Sequence, residues 1–141
     1  MKRTASAVWN GSLKEGRGAI STQSGVLTDT SYSFGTRFAQ EQGTNPEELI
    51  AAAHAGCFSM ALSAGLGKAG FEPNRIKTSA QLDLENVEGS WRVVGIQLET
   101  VARIPKISSE QFQTIAEDAK ANCPVSQLLR TNITLVAKLE D

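Results

Sequence analysis

Two cysteines in unlike settings are the residues of this chain best suited to chemistry. Cys57 lies midway along an almost wholly apolar stretch that predicts a helix, whereas Cys123 precedes Pro124 where another helix should begin. A thiolate is a strong nucleophile, and two thiols that meet in a fold can cycle between dithiol and disulfide. The pattern indicates a thiol/disulfide redox protein. The alternative is that both are inert buried thiols that only fill space.

The two thiols differ in what they need for reactivity. A thiol at a helix N-terminus is favoured as thiolate by the helix dipole and the free backbone N–H groups. Pro124 suits the first helical position after Cys123, so this placement is consistent. The alternative for Cys123 is a capping residue without chemistry. Apolar surroundings raise the pKa of a thiol, so Cys57 needs a nearby cation to react.

Two residues are candidates for that cation. His54 is three residues before Cys57 and on the same helix face, but a packed or hydrogen-bonded histidine explains it better than a general base does. Arg37 lies among apolar residues in segment 34–38, where a guanidinium normally needs a partner. The alternative for Arg37 is a surface arginine on a loop.

Glu47 is the acidic residue that can pair with Arg37. Its neighbour Glu48 is at the third helical position after Asn45, where completing a capping box is a sufficient role. On a straight helix, Glu47 lies ~15 Å from Cys57 along the axis, at ~1.5 Å per residue. If Glu47 and Arg37 serve that cysteine, a folded-back loop or a partner chain must bridge the distance, which favours a dimeric site.

The composition gives little support to other kinds of site. The chain has one histidine and no CxxC or HxxxH pair, so a structural zinc would need carboxylates or a second chain as ligands. There is no GxxxxGK[ST] loop to cradle a phosphate. A net charge of -1 and a pI of about 5.9 give no electrostatic case for nucleic acid or an anionic membrane. We therefore expect no metal, no nucleic acid and no membrane partner.

The elements that must position these residues follow a mixed pattern. Alternating hydrophobicity and turn signals predict strands at 4–9, 17–22, 31–34, 76–84, 91–101 and 131–139. Capping signals predict a long helix from 46 to 67–69, a helix over 108–121 and a short helix after Pro124. Glu88-Gly89 is the predicted turn of a hairpin between the two long strands. This order predicts an α+β fold with helices on an antiparallel sheet.

The long helix is apolar nearly all round, so it must be covered on nearly every side. Its alanines and glycines let neighbouring backbones approach closely. A chain of 141 residues makes one domain, 1–141, with limited means to cover this helix. We therefore expect a homodimer whose partner closes the open side, and the alternative is that the chain's own sheets suffice. The stretch approaches membrane-spanning length, but His54, two serines and two initial glutamates favour a buried helix in a soluble protein.

The N-terminus predicts where the protein works. It carries basic residues but no long apolar run, so we expect no signal peptide and a cytoplasmic location. Structural disulfides are rare in the cytoplasm, where cysteine pairs are more often catalytic or metal-binding. The location therefore favours a chemical use of the two thiols.

Three motifs together resemble one protein family. The helix start Asn45-Pro46-Glu47-Glu48-Leu49, the alanine-rich helix with Cys57, and Asn122-Cys123-Pro124-Val125-Ser126 resemble the osmotically inducible protein C (OsmC) family. That family is grouped with the organic hydroperoxide resistance proteins. The resemblance extends over essentially the whole chain, including Tyr32-Ser33-Phe34-Gly35-Thr36-Arg37-Phe38. His54 stands where the resistance proteins usually have tyrosine, which places the chain nearer OsmC proper and argues against an essential base there.

The resemblance implies a fold and an activity. The fold is α+β, with curved antiparallel sheets around long central apolar helices in an intertwined homodimer with two sites at its interface. The activity is that of a thiol-dependent peroxidase that prefers organic hydroperoxides, with a role in oxidative stress. Carried over by position, Cys57 is the peroxidatic cysteine, Cys123 the resolving cysteine, and Arg37 with Glu47 the catalytic arginine and its acidic partner. The implied reductant is a lipoyl-type dithiol, and no cofactor is needed.

Two interpretations without peroxidase turnover stay open from the sequence. One is a non-catalytic stress protein that binds small hydrophobic ligands at the dimer interface. The other is a redox sensor, which shares the disulfide but does not consume peroxide steadily.

For the peroxidase, we expect the Cys57–Cys123 disulfide to form within one chain, because the sequence between the two cysteines is long enough to fold back. Phe58, Met60 and Phe38 are candidates to line an apolar pocket around Cys57, which would favour alkyl or fatty-acid hydroperoxides.

Overall fold

The computed structural model describes residues 1–140, which form strands and helices in a mixed order. The elements are β1 (Ala5–Asn10), β2 (Arg17–Thr22), β3 (Thr30–Tyr32), α1 (Phe34–Phe38), α2 (Pro46–Lys68), β4 (Arg75–Val87), β5 (Ser90–Arg103), α3 (Ser109–Asn122), α4 (Pro124–Leu128) and β6 (Asn132–Glu140). The predicted α+β fold with one long helix is confirmed. Every predicted strand and helix is present, with bounds shifted by a few residues.

Two compact units divide the chain. They are Met1–Leu49 and Ile50–Asp141, so the first turn of α2 belongs to the first unit and the rest of the helix to the second. Each unit is described by itself below. That both together make a single domain stays a prediction.

The first unit contains a three-stranded antiparallel sheet in the order β1-β2-β3. Trp9 and Tyr32 lie on either side of Gly18, with their ring centroids 5.4 Å apart. A Cβ atom at Gly18 would collide with both rings. The glycine is therefore required so that two aromatic side chains can pack across the middle strand.

A short helix, α1, follows this sheet and carries Arg37. The hydroxyl of Ser33 accepts the backbone N–H of Thr36 at 3.2 Å, and the Thr36 hydroxyl accepts the N–H of Ser33 at 2.8 Å. These two bonds form a capping box that begins a helix. The sequence prediction of a strand as far as residue 34 was wrong at its end, because the capping box stops the strand at Tyr32.

The start of α2 agrees with the predicted capping. The Asn45 side chain accepts the N–H of Glu48 at 2.8 Å and donates to the Thr36 carbonyl at 3.2 Å. The Glu48 carboxylate accepts the Thr44 hydroxyl at 2.8 Å. Asn45 therefore ties the N-terminus of α2 to α1, and this fixes the two helices that carry Glu47 and Arg37.

The second unit contains a three-stranded sheet in the order β4-β5-β6. β4 and β5 form an antiparallel hairpin whose turn residues, Glu88 and Gly89, have φ of 51° and 85°. Positive φ at both positions is the requirement of a type I′ turn, whose twist matches that of the strands. β6 pairs parallel to β5, from Gly95↔Asn132 to Arg103↔Glu140. This edge departs from the expected antiparallel sheet because α3 and α4 provide the long crossover that parallel strands need.

The core of the second unit lies between α2, α3 and the sheet. α2 contributes a buried stripe at every fourth residue, made of His54, Phe58, Leu62 and Leu66. It packs in one cluster with residues of β5 and α3 such as Ile96, Leu98, Phe112 and Ala116. Burying one large apolar side chain of this kind stabilises a fold by about 1.5–3 kcal/mol. The stripe, with the partly buried Ile50, Cys57 and Ala61, therefore attaches the helix to this unit.

Much of α2 outside that stripe is exposed within one chain. The helix is long and apolar enough to cross a membrane by length and composition, a test that core helices of soluble proteins also pass. Only 22% of its most apolar stretch is buried. Between the charged ends of the helix, the exposed positions are Ala52, Ala53, Gly56, Met60, Ser63, Ala64 and Gly67, which we call the small-residue face.

Candidate active site

Arg37 and Glu47 form an ion pair in the first unit. Nε and Nη2 of Arg37 donate to the same carboxylate oxygen, Oε1, at 2.9 and 2.6 Å. The pairing predicted from the sequence is confirmed. Oε2 of Glu47 is buried and has no hydrogen-bond partner among the described residues. Glu47 therefore holds the guanidinium through one of its two carboxylate oxygens.

The guanidinium of Arg37 faces an aromatic cavity. Its central carbon lies 5.2 Å from the centroid of the Phe38 ring, within the range of a cation–π contact. The cavity has a volume of about 260 Å³ and is lined by Trp9, Leu13, Tyr32, Ser33, Phe34, Arg37, Phe38 and Pro46. Apolar walls around one cation suit a ligand with an organic body and a polar end.

The aromatic residues proposed for a pocket separate in the structure. Phe38 lines the cavity beside Arg37, whereas we expected it in a pocket around Cys57. Phe58 is fully buried in the core of the second unit, so its expected place in a pocket was wrong. Its position four residues from His54 on the buried stripe explains the difference. Met60 is exposed on the small-residue face of α2.

Cys57 and Cys123 meet in the second unit as free thiols. Burial raises the pKa of the Cys57 thiol above its ordinary value. A hydrogen bond from the Val125 backbone lowers this pKa, while the hydrogen bond and charge interaction with Cys123 raise it further. The net direction is upward, so this unit alone brings the thiols together but does not activate Cys57.

Cys123 is held at the junction of α3 and α4, where it is fully buried. It ends α3 and caps α4, with its Sγ accepting the N–H of Ser126 at 3.4 Å. The Ser126 hydroxyl lies 3.1 Å from the same Sγ and 2.7 Å from Nε2 of His54. His54 is also fully buried, and this desolvation lowers its pKa. The histidine is thus hydrogen-bonded, as the favoured interpretation of the sequence held.

Ser126 is the residue of this cluster that the sequence analysis missed. A signal was present, because Ser126 is three residues after Cys123, the spacing at which a cap and the first turn of a helix make contact. The link to His54 crosses a sequence separation of 72 residues. Only the packing of α4 against α2 within the second unit reveals it.

The four proposed site residues therefore form two pairs. Arg37–Glu47 belongs to the first unit and Cys57–Cys123 to the second. Within residues 1–140, no three or more histidine, cysteine, aspartate or glutamate side chains gather where they could hold a metal ion. The chemistry open to this arrangement is that of a dithiol, a buried carboxylate and a guanidinium beside an aromatic cavity.

Comparisons with known sequences point to one family. The family model described as OsmC-like protein matches residues 39–138. The chain is 50% identical over 134 residues to peroxiredoxin OsmC of Escherichia coli (strain K12), which spans 95% of this chain and 94% of the relative. It is 29% identical over 127 residues to an organic hydroperoxide resistance protein of Xanthomonas axonopodis pv. citri, over 89% and 87% of the two chains.

Solved structures agree with the sequence comparisons. The organic hydroperoxide resistance protein OhrB of Bacillus subtilis superposes with a TM-score of 0.69 at 27% identity, over 97% of this chain and 98% of that one. An OsmC protein of Legionella pneumophila, at 20% identity and a TM-score of 0.68, shares the fold. A matching family model over most of the chain and a half-identical relative lead to one conclusion: this chain belongs to the OsmC-like family.

Proposed function

We propose that this protein is a thiol-dependent peroxidase that reduces organic hydroperoxides to alcohols and so protects against oxidative stress. The observation that carries the proposal is the meeting of Cys57 with Cys123 as free, interacting thiols. Support comes from the half-identical relative named a peroxiredoxin and from the more distant organic hydroperoxide resistance protein. The aromatic cavity beside Arg37 supports an organic rather than an inorganic peroxide.

The first step is attack of the Cys57 thiolate on one oxygen of the hydroperoxide. Sulfur donates its electron pair, the O–O bond breaks, and the leaving alkoxide takes a proton to depart as the alcohol. Cys57 becomes a sulfenic acid. Arg37 stabilises the thiolate and the charge on the leaving oxygen with donors of fixed direction, while Glu47 orients the guanidinium.

The second step protects Cys57 from irreversible oxidation. Cys123 attacks the sulfenic sulfur, the S–O bond breaks, and one water leaves as the disulfide forms. A dithiol reductant, of the lipoyl type in this family, then restores both thiols by exchange through a mixed disulfide. Each turnover therefore consumes one hydroperoxide and one dithiol and yields the alcohol, water and the oxidised reductant.

The working form we propose is a homodimer with sites at its interface. The small-residue face of α2 is apolar and exposed over several turns, and a Cβ added at Gly56 or Gly67 would meet no atom within 4 Å. Small residues let two helices approach closely, and an exposed apolar surface of this extent marks an interaction site. A partner chain can also bring an Arg37–Glu47 pair to the Cys57 thiol, whose raised pKa calls for a cation.

The cytoplasm is the location we propose for this activity. The proposed cycle needs both cysteines as thiols at the start of each turnover, and a reducing compartment keeps a catalytic dithiol in that state. Secretion of the chain to an oxidising compartment would hold the pair as a disulfide and stop the cycle.

The experiment is consumption of cumene hydroperoxide and of hydrogen peroxide by the purified protein with a dithiol reductant. We expect faster consumption of the organic peroxide by the wild type and none by Cys57→Ser. Cys123→Ser should be oxidised once and then gain further oxygen mass on Cys57. A wild type that consumes neither peroxide, with a lipoyl or a monothiol-reducible system, contradicts the proposal and favours a sensor or a ligand-binding protein.

A further inference from the structure

A buried hydrogen-bonded chain links the resolving thiol to the single histidine of the protein. It runs from Sγ of Cys123 to Oγ of Ser126 at 3.1 Å and from there to Nε2 of His54 at 2.7 Å. The exposures of the three residues are 0%, 7% and 0%. Water therefore does not compete for these bonds, although Cys123 also interacts with the Cys57 thiol.

The direction of the chain follows from the acceptors available. Sγ of Cys123 already accepts the N–H of Ser126, and sulfur is a weak acceptor compared with an imidazole nitrogen. The single proton of the Ser126 hydroxyl therefore goes to Nε2 of His54, at the shorter of the two contacts. Oγ is then free to accept the thiol proton of Cys123. In this arrangement each group donates toward the histidine.

We propose that His54, acting through Ser126, receives the thiol proton of Cys123 as the disulfide forms, so that the three residues are a proton relay for the resolving step. The inference rests on the proposed peroxidase function and extends it to two residues, His54 and Ser126, outside the Arg37–Glu47 and Cys57–Cys123 pairs. His54 acts on the resolving thiol rather than on Cys57, although it precedes Cys57 by three residues on α2.

The step balances in atoms and charge. The thiol proton moves to Oγ of Ser126 while the hydroxyl proton moves to Nε2, which leaves a Cys123 thiolate and a His54 imidazolium. The thiolate pair forms the S–S bond with Cys57 as the S–O bond of the sulfenic acid breaks with its electrons on oxygen. That oxygen takes one proton and leaves as water, and His54 gives up the one it held. Sulfenic acid plus thiol thus become disulfide plus water.

The environment of His54 suits a proton acceptor that does not keep the proton. Desolvation lowers its pKa, so the imidazole is neutral at rest and Nε2 can accept. Nδ1 is buried and has no partner among the described residues, so no carboxylate stabilises the imidazolium as in a catalytic triad. The charged state is therefore short-lived, which fits a residue that holds a proton only during one step.

The first test is the tautomer of His54 in the reduced wild type. The chain has one histidine, so nitrogen NMR of an imidazole-labelled protein without a histidine tag gives one unambiguous pair of signals. We expect the proton on Nδ1 and an accepting Nε2 whose resonance moves in Ser126→Ala. A proton on Nε2 in the neutral wild type would reverse the chain and overturn the relay. This measurement needs no turnover, so its failure is distinct from a failure of the peroxidase.

The second test separates the two oxidation steps in one turnover, by rapid quenching and mass measurement after one equivalent of cumene hydroperoxide. Ser126→Ala and His54→Gln should form the Cys57 sulfenic acid at the wild-type rate. Proton transfer by a positioned group contributes about 10²-fold at its lower end, so disulfide formation should be about 100-fold slower in both variants. Sulfenic acid then accumulates and can be trapped by a cyclic 1,3-diketone.

Ser59→Ala is the matched control because it removes another partly buried serine hydroxyl, one that contacts Thr78 at 2.8 Å on the sheet side of α2. In Ser59→Ala, both formation of the Cys57 sulfenic acid and formation of the disulfide should proceed at the wild-type rate. Disulfide formation at the wild-type rate in His54→Gln would overturn the relay even with the expected tautomer. Thermal melting of each variant shows that it is folded, and Ser126→Thr, which keeps a hydroxyl, should recover most of the rate lost in Ser126→Ala.

Discussion

At the scale of single residues, the reactivity of Cys57 depends, in our proposal, on the guanidinium of Arg37. Burial raises the pKa of this thiol, and the adjacent Cys123 adds to the effect. The Val125 backbone opposes them with a single hydrogen bond. A guanidinium contributes a full positive charge and several donors, so in the proposed mechanism Arg37 is the group that reverses the balance.

Replacing Arg37 by methionine tests this role. Removing one preorganised donor to a developing charge costs about 10²–10³-fold in rate, and we expect a loss of that order in the oxidation of Cys57 by cumene hydroperoxide. The pH at which this rate is half-maximal should move upward, because a thiol with a raised pKa ionises later. Arg103→Met is the control, since Arg103 pairs only at the surface with Glu140, at 3.4 Å. Equal effects of both variants would exclude a specific role for Arg37.

His54 makes the folded protein less stable as pH decreases. Its pKa in the folded protein is below the ordinary value of 6.5 because burial disfavours the imidazolium. As pH falls below 6.5, the unfolded chain gains a proton that the folded chain does not, so stability decreases. The loss is about 1.4 kcal/mol per pH unit until folded His54 also protonates.

Comparison with His54→Gln separates the pH dependence of stability due to His54 from that due to the carboxylates. Urea unfolding of both proteins between pH 7 and 5 should show the wild type losing more stability than the variant as pH decreases. The stability difference between the two proteins is expected to be constant above pH 7.5. A difference that does not change with pH would mean that His54 titrates equally in the folded and unfolded states.

At the scale of elements, the sequence predicted what is encoded locally. The start of α2 was predicted because Asn45, Pro46 and Glu48 act within one turn, and the hairpin because Glu88-Gly89 specifies its own turn. The parallel edge between β5 and β6 and the Ser126–His54 contact were not predicted. The strand pairing and the contact both depend on how α3 and α4 return the chain to the sheet. No local sequence pattern specifies how these helices pack.

The capping of α1 connects local structure to the site. Ser33 supplies the cap of this short helix, and its hydroxyl also lies 3.1 Å from the Glu41 carboxylate. We expect Ser33→Ala to lose about 1 kcal/mol of stability, as is typical for an N-cap serine. It should also slow peroxide reduction several-fold, because Arg37 is on the helix that loses its cap.

Ser108 gives a matched control for this prediction. It caps α3 with the same capping box, completed by Gln111 instead of Thr36. Ser108→Ala should therefore lose a similar stability in urea unfolding and keep the rate of peroxide reduction. If Ser33→Ala also kept that rate, α1 would not need its cap to place Arg37 in the site.

At the scale of the whole molecule, the proposed dimer resolves two unexplained features of one chain. The first is the exposed apolar surface of α2, which monomeric soluble proteins rarely present. The second is the separation of the ion pair and the dithiol into different units. The sequence predicted a dimer from the all-round apolar helix, but it could not predict which face stays open. That face is defined only once the sheet and α3 have covered the His54–Leu66 stripe.

Met60 is the residue with which to test the dimer, because its side chain is 76% exposed at the centre of the small-residue face. A buried carboxylate without a partner costs several kcal/mol, so Met60→Glu should dissociate the dimer at micromolar concentration. Val26→Glu is the matched control, since Val26 is 84% exposed in a loop of the first unit. Sedimentation should show a monomer for Met60→Glu and a dimer for the control.

Because we place Arg37 of one chain beside Cys57 of the other, the Met60→Glu monomer should also lose peroxide reduction and recover it as protein concentration increases. A dissociated but fully active variant would place the complete site within one chain.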